Sequence, residues 1–216
     1  QRSLVKRDTY RVNWWRFAER CPGLYRKIAS MKRVLVVAQV SQTLAFEFSN
    51  NDKVFSAKTI VFALEGWDDF SVMQSTIHNV WAWKFCTTMK TDLSYGPTAL
   101  FQPFPRPIYP LEHRQTLNSI GEQYHNYRRQ LMSSLYLGLT DIYNLFHAHD
   151  LSPELVAKVS KKHADVARTG FDGLLQLRRL HVALDNAVRD AYGWTDLNLG
   201  HDFVEVETLP ENDRVR

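Results

Sequence analysis

Lys90, Asp92 and Ser94 occupy alternate positions in the run KTDLSYG, so on an extended backbone a cation, a carboxylate and a hydroxyl share one side. Such a face can donate and accept, although alternating charges on an edge strand are ordinarily solubility features. A second group, Gln74, Ser75, His78 and Asn79 in QSTIHN, is also made of short polar side chains able to donate and accept. Nothing comparable supports catalysis. His78 and Cys86 could pair as base and nucleophile, but they stand at least two helical turns apart and no third group orients them. His147, His149 and Asp150 lack the spacing of a zinc helix and read as a solvated helix end. His181 with Asp185, and Asp185 with Arg189, are one turn apart and read as structural pairs worth about 0.2 to 0.5 kcal/mol each if exposed. The 9 glycines are dispersed and form no phosphate-cradling loop. No catalytic residue and no metal ligand is assigned.

The elements that must position these residues are legible from periodicity. Phe70, Met73, Ile77 and Trp81 recur at helical spacing, with Asp68 and Asp69 placed to cap a helix, and Gln74, Ser75, His78 and Asn79 fall on its other face. Upstream, Asn13 suits the cap of a helix through WWRFAER with Trp14 in the core, and LYRKIASM follows as a second short helix. VLVVAQV, TLAFEFS and KVFSAKTIVFAL read as three antiparallel strands, with SQ as the first turn and Lys58 and Thr59 in the middle of the third strand. There the Lys58 charge must face solvent or a ligand. KTDLSY returns as an extended segment, and FQPFPRP can continue neither a helix nor a central strand. From Leu111 a long helix runs to Gly138, Thr140 caps the next, and Ser152 with Pro153 opens a third, which Gly170 and Gly173 weaken before a last helix through LLQLRRLHVALDNAVRDAYGW. The fold class expected is α+β: a small antiparallel-sheet domain with flanking helices over 1–107, a helical bundle over 108–200, and an irregular tail over 201–216.

At 216 residues with 44% hydrophobic and 12% aromatic content, the chain can bury a core and is not a disordered protein. It has no apolar run long enough to span a bilayer and no secretory signal, and its 2 cysteines, Cys21 and Cys86, suit buried thiols in a reducing cytoplasm. It begins without Met and stops in NDRVR, so it reads as a piece of something longer. The net charge of +4 is unevenly placed: up to Arg33, ten Lys and Arg stand against two acids, whereas the remainder carries a slight acidic excess. A local basic excess fits a polyanion, because each phosphate neutralised releases condensed counterions, and equally a solvated helix surface whose Arg and Lys stems cover apolar neighbours.

The motifs NWWRF and PGLYRKI, then QSTIHNVWAW, KTDLSYG and FQPFPRP, and finally LRRLHVALDNAVRDAYGW span nearly the whole chain. In this order they resemble the target-recognition domain and C-terminal helical region of single-chain type IIG and type IIL restriction-modification enzymes. Those enzymes fuse a nuclease, an N6-adenine DNA methyltransferase and a DNA-reading domain. The resemblance implies a sequence-specific module for double-stranded DNA, partnered by the methyltransferase domain of the same parent chain. Enzyme status is left open for this fragment, because it lacks a methyltransferase glycine motif, the Asn-Pro-Pro-aromatic signature that holds a flipped adenine, and a nuclease cluster. S-adenosylmethionine and Mg2+ are expected of the parent and neither of the fragment. Lys58, Lys90, Asp92 and Ser94 are the expected base readers, because the resemblance makes Lys90 with Asp92, and Lys58 with Ser94, pairs that vary together. Lys donating to guanine and Asp accepting from cytosine fit the major-groove code. Lys32, Arg33, Gln74, Ser75, His78 and Asn79 are expected to touch the DNA backbone or brace the loop. Two other classes stay open: a protein-interaction scaffold, and a single-strand or RNA binder using exposed aromatics.

Overall fold

The computed structural model describes residues 12, 21–89 and 92–201; the expected helix over WWRFAER and the tail beyond 201 lie outside them. Helix α1 (Pro22–Ile28) has Pro in its first turn, where a missing N–H is harmless. The β-branched run that follows forms β1 (Arg33–Ala38), the centre of a three-stranded antiparallel sheet between β3 (Glu47–Asn50) and β4 (Thr59–Phe62). Leu35 lies opposite both Phe48 and Phe62, so one face of this sheet is apolar across all three strands. The SQ turn expected after β1 is absent. Val40–Ser41 form a short strand β2 that leaves the first sheet and joins a second one, β2-β6-β5, built with β5 (Thr87–Met89) and β6 (Asp92–Ser94). Gln39 is the corner between the two sheets. The third strand is also shorter than expected: Lys58 precedes β4 rather than sitting in its middle, and residues 53–58 are irregular.

The single helix expected through Phe70 is two helices, α2 (Trp67–Gln74) and α3 (Thr76–Phe85), broken at Ser75. Ser75 takes an extended conformation and its hydroxyl accepts from the His78 amide, so it ends one helix and caps the next. A short helix α4 (Pro97–Leu100) then leads to the proline-rich segment.

The second half is helical: α5 (Leu111–Leu135), α6 (Leu139–Phe146), α7 (Pro153–Ser160) and α8 (Ala164–Ala191). Ser152 caps α7 as expected, but Gly138 rather than Thr140 stands at the N-terminus of α6. Gly170 and Gly173 do not weaken a helix end. They lie inside α8, where a Cβ would come within 2.6 Å of Leu135 and 2.7 Å of Leu131, so they let α8 approach α5 closely. Gly121 does the same between α5 and α2, where a Cβ would stand 2.5 Å from the Trp67 carbonyl oxygen. One continuous apolar core joins Phe46 and Phe62 of the sheet layer and Phe70 of α2 to Leu117, Tyr124, Leu177 and Leu184 of α5 and α8.

Candidate nucleic-acid interface

The strands β5 and β6 form an antiparallel pair in which Thr87 lies opposite Ser94 and Met89 opposite Asp92. Paired residues share a face, so Thr87, Met89, Asp92 and Ser94 stand on one side together with Val40, the partner of Ser94 in β2. The alternate residues Leu93 and Tyr95 are buried. Their burial fixes which way Asp92 and Ser94 point: outward, half-exposed, at the edge of the molecule. Lys90 lies outside the described residues. Thr87, Thr88 and Met89 are all exposed, so β5 is the open edge of a narrow β-ribbon that β2 borders on its other side along Leu93 and Ser94, leaving Asp92 and Met89 as a two-stranded end.

Lys58 reaches the same region through Gln39. The Gln39 amide donates to the Lys58 carbonyl at 2.8 Å, and the Gln39 carbonyl accepts from the Tyr95 amide at 2.7 Å. These two bonds and the width of one residue keep the Lys58 and Tyr95 backbones within about 9 Å of each other. The exposed Lys58 therefore stands beside the ribbon. Of the expected base readers, Asp92 and Ser94 share one face of β6, and the Lys58 backbone lies near that of Tyr95, the residue after Ser94.

The QSTIHN side chains take positions different from those their spacing suggested. Gln74, Ser75 and His78 are buried and Asn79 half-buried. Gln74 accepts from the Phe46 amide at 3.0 Å and donates to the Leu44 carbonyl at 3.1 Å, fixing the approach to β3. His78 Nδ1 lies 2.8 Å from the Met73 carbonyl, which can only accept, so Nδ1 carries the proton. Nε2 is then the acceptor for the Tyr95 hydroxyl at 3.0 Å. Burial pushes the His78 pKa down to about 4, so the ring is neutral at pH 7 and the bond to β6 holds. Burial also moves the Tyr95 hydroxyl up, well above the ordinary tyrosine value.

Arg33 and Lys32 sit apart from this corner. The Arg33 guanidinium lies 3.8 Å from the Phe48 ring centre and 4.0 Å from that of Trp67, and its Nε donates to the Glu65 carbonyl at 3.0 Å. It bridges β1 to the start of α2. Burial lowers the Arg33 pKa against the opposing pull of Glu65. Lys32 is exposed, and its amide donates to Glu65 Oε1 at 3.1 Å.

Residues 14–108 match the family model for the MmeI target recognition domain. The match covers somewhat less than half of the chain and is a similarity of that segment to the family. The chain is also similar to a solved structure titled as the Type IIL restriction-modification enzyme MmeI in complex with DNA. The TM-score is 0.54 at 15% identity, over 79% of this chain and 20% of that one. The chain thus spans about a fifth of that protein, and at this identity the likeness is one of fold. No curated protein matches the chain.

Several residues that hold the MmeI-type domain against the helices were not singled out by sequence. Arg128 of α5 is fully buried and donates to the Phe46 carbonyl at 2.6 Å, the Tyr143 hydroxyl at 2.9 Å and Glu47 Oε2 at 2.9 Å. Glu47 also pairs with His125. Burial works against the Glu47 charge, but His125 and Arg128 outweigh it and hold the carboxyl below its usual value. The signal was present: Arg128 falls in the apolar stripe of Tyr124, Leu131 and Leu135, where a cation must find partners.

Of the two pairs expected at Asp185, His181 stands 3.6 Å from its carboxylate, whereas the Arg189 pair is not formed. Asp185 is fully buried, accepts from the Thr76 amide at 2.8 Å and lies 3.1 Å from His201 Nε2, while Arg189 pairs with Asp190 instead. A carboxylate of α8 thus sits on the N-terminus of α3, where the helix dipole favours it. Among the described residues, no group of His, Cys, Asp and Glu is arranged to hold a metal ion, and no helix is long and apolar enough to cross a membrane.

Proposed function

We propose that this chain is the sequence-reading module for double-stranded DNA in a restriction-modification enzyme, with the chemistry done by other parts of the parent protein. The observation that carries the reading is the open β5–β6 edge of the second sheet, whose outward face holds Asp92 and Ser94, with the Lys58 backbone linked through Gln39 to that of Tyr95. A two-stranded ribbon fits the major groove, about 12 Å wide, where each base pair shows its own pattern of donors and acceptors. Lys58, Lys90, Asp92 and Ser94 read base edges: the lysines donate to guanine, Asp92 accepts from cytosine N4, and Ser94 serves either role. Gln74, Ser75 and His78 act from beneath by holding the ribbon still. Lys32 and the basic segment before it meet phosphates. Arg33 supports the platform, because its guanidinium is already engaged between Phe48 and Trp67.

The division near residue 107 is then functional. Residues 1–107 read, and 108–200 back the reader through Arg128 and Asp185 and hold it against a methyltransferase domain of the same chain. S-adenosylmethionine and Mg2+ would serve the catalytic domains of a cytoplasmic parent enzyme; no described cluster of this chain fits the metal. MmeI in complex with DNA, the solved relative in fold, is in keeping with this reading.

Binding of the chain to a random DNA duplex, a single strand and duplex RNA across a salt series tests it. The expected result is preference for duplex DNA with affinity falling steeply as salt rises. A protein scaffold would bind none of the three, and an RNA or single-strand binder would reverse the order.

A further inference from the structure

We infer that Met89 is a specificity-determining residue that reads the 5-methyl group of a thymine next to the base pair read by Asp92. The inference rests on the DNA reading proposed above. Met89 is the direct partner of Asp92 across the β5–β6 ladder, so both side chains project from one face with Cβ atoms about 4.5 to 5.5 Å apart. That separation exceeds the rise of one base pair, about 3.4 Å, so two such neighbours address adjacent pairs. Met89 is 55% exposed. It sits at the far end of β5, the end of the ribbon away from α3, where no described element covers it.

The chemistry of the side chain selects its target. Asp92, Ser94 and Thr87 on the same face can read hydrogen-bonding edges, whereas a thioether has no donor and is a weak acceptor. It gains nothing at guanine O6 and N7 and little at adenine N6 or cytosine N4. The apolar feature of the major groove is the thymine 5-methyl group, and an unbranched, polarisable side chain adapts to it readily. An exposed methionine on a reading face costs the free protein little and gains contact only where that methyl is present.

The test uses the whole chain. A preferred duplex is selected from a randomised library, and affinities are measured for copies in which each thymine in turn is replaced by deoxyuridine, which removes the methyl alone. The expected result is one sensitive thymine, adjoining the position whose preference changes in Asp92→Asn. There deoxyuridine weakens the native chain about fourfold, as expected for one buried methyl, and leaves Met89→Ala unaffected. Met89 is exposed, so the alanine variant should fold, and an unchanged thermal melt checks this. An enriched site with no thymine beside the Asp92 position, no such position at all, or equal deoxyuridine losses in both proteins would overturn the assignment. Failure of the DNA reading looks different: no sequence is enriched, and the Met89 assignment falls with it.

Discussion

His78 links the helix pair to the reading strand, and its protonation is the perturbation with the clearest expected consequence. The ring is fully buried, its Nδ1–H donates to the Met73 carbonyl at 2.8 Å, and its Nε2 accepts from the Tyr95 hydroxyl at 3.0 Å. Burial places its folded pKa at about 4 against an ordinary value of 6.5. The unfolded chain therefore binds this proton first, and the stability contribution is complete above pH 6.5 and falls as the pH drops towards 4. Linkage over this interval gives a loss of about 2 kcal/mol between pH 7 and pH 5, approaching about 3 kcal/mol at lower pH. Equilibrium urea denaturation at a series of pH values measures it. His181, also held below its usual value by burial, acts in the same direction, so native chain, His78→Gln and His181→Gln are compared. The His78 variant should be less stable at pH 7 but should lose about 2 kcal/mol less on going to pH 5. Nitrogen-resolved NMR of the imidazole gives an independent reading of tautomer and titration. A His78 ring that titrates near 6.5, or carries its proton on Nε2, would refute the reasoning. So would an unchanged acid slope in the variant.

Three further outcomes follow from the packing. Glu47→Gln leaves the buried Arg128 facing a neutral amide; because Glu47 is itself about a quarter exposed, the loss should be about 2 kcal/mol, less than for a fully buried pair, read as a lower urea midpoint. Gly121→Ala should lower the thermal midpoint more than Gly170→Ala. At Gly121 the new Cβ meets the Trp67 carbonyl oxygen at 2.5 Å, for an expected cost of about 2 kcal/mol, whereas at Gly170 it meets the end of the Leu135 side chain, which yields more readily than backbone. Asp185→Asn weakens the seat of α3 by about 1 to 3 kcal/mol. Burial works against its charge, but His181, His201 and Thr76 hold it below its ordinary value of 3.8. Its contribution is thus present above about pH 4 and lost below, and the variant should lose this part of the acid transition in a melt series.

The sequence carried the class and most of the order of elements, because long amphipathic helices such as Leu111–Leu135 and β-branched runs such as β1 declare their periods. It misplaced the QSTIHN side chains for a definite reason. Gln74 stands one turn after Phe70, and His78 one turn after Gln74 and just under one turn before Trp81, so both border the apolar face; burial follows there because backbone groups of Leu44, Phe46 and Met73 meet them. The alternation of Asp92 and Ser94 was readable because Leu93 and Tyr95 between them are apolar. The approach of Lys58 to that pair was not, since it depends on Gln39 turning the chain from one sheet into the next. Glycines 170 and 173 misled for a similar reason: helix propensity argues against them, and close packing of α8 on α5 requires them.

The central claim is that a few outward side chains on one corner of two small sheets distinguish base pairs. Selection from a randomised duplex library with the native chain, Lys58→Ala and Asp92→Asn at one fixed salt concentration tests it most directly. The account predicts that each substitution relaxes or changes the preference at one or two positions, by about 1 to 3 kcal/mol, and leaves the rest of the selected site intact. Uniform weakening on every sequence, or a native chain that enriches no sequence, would contradict it.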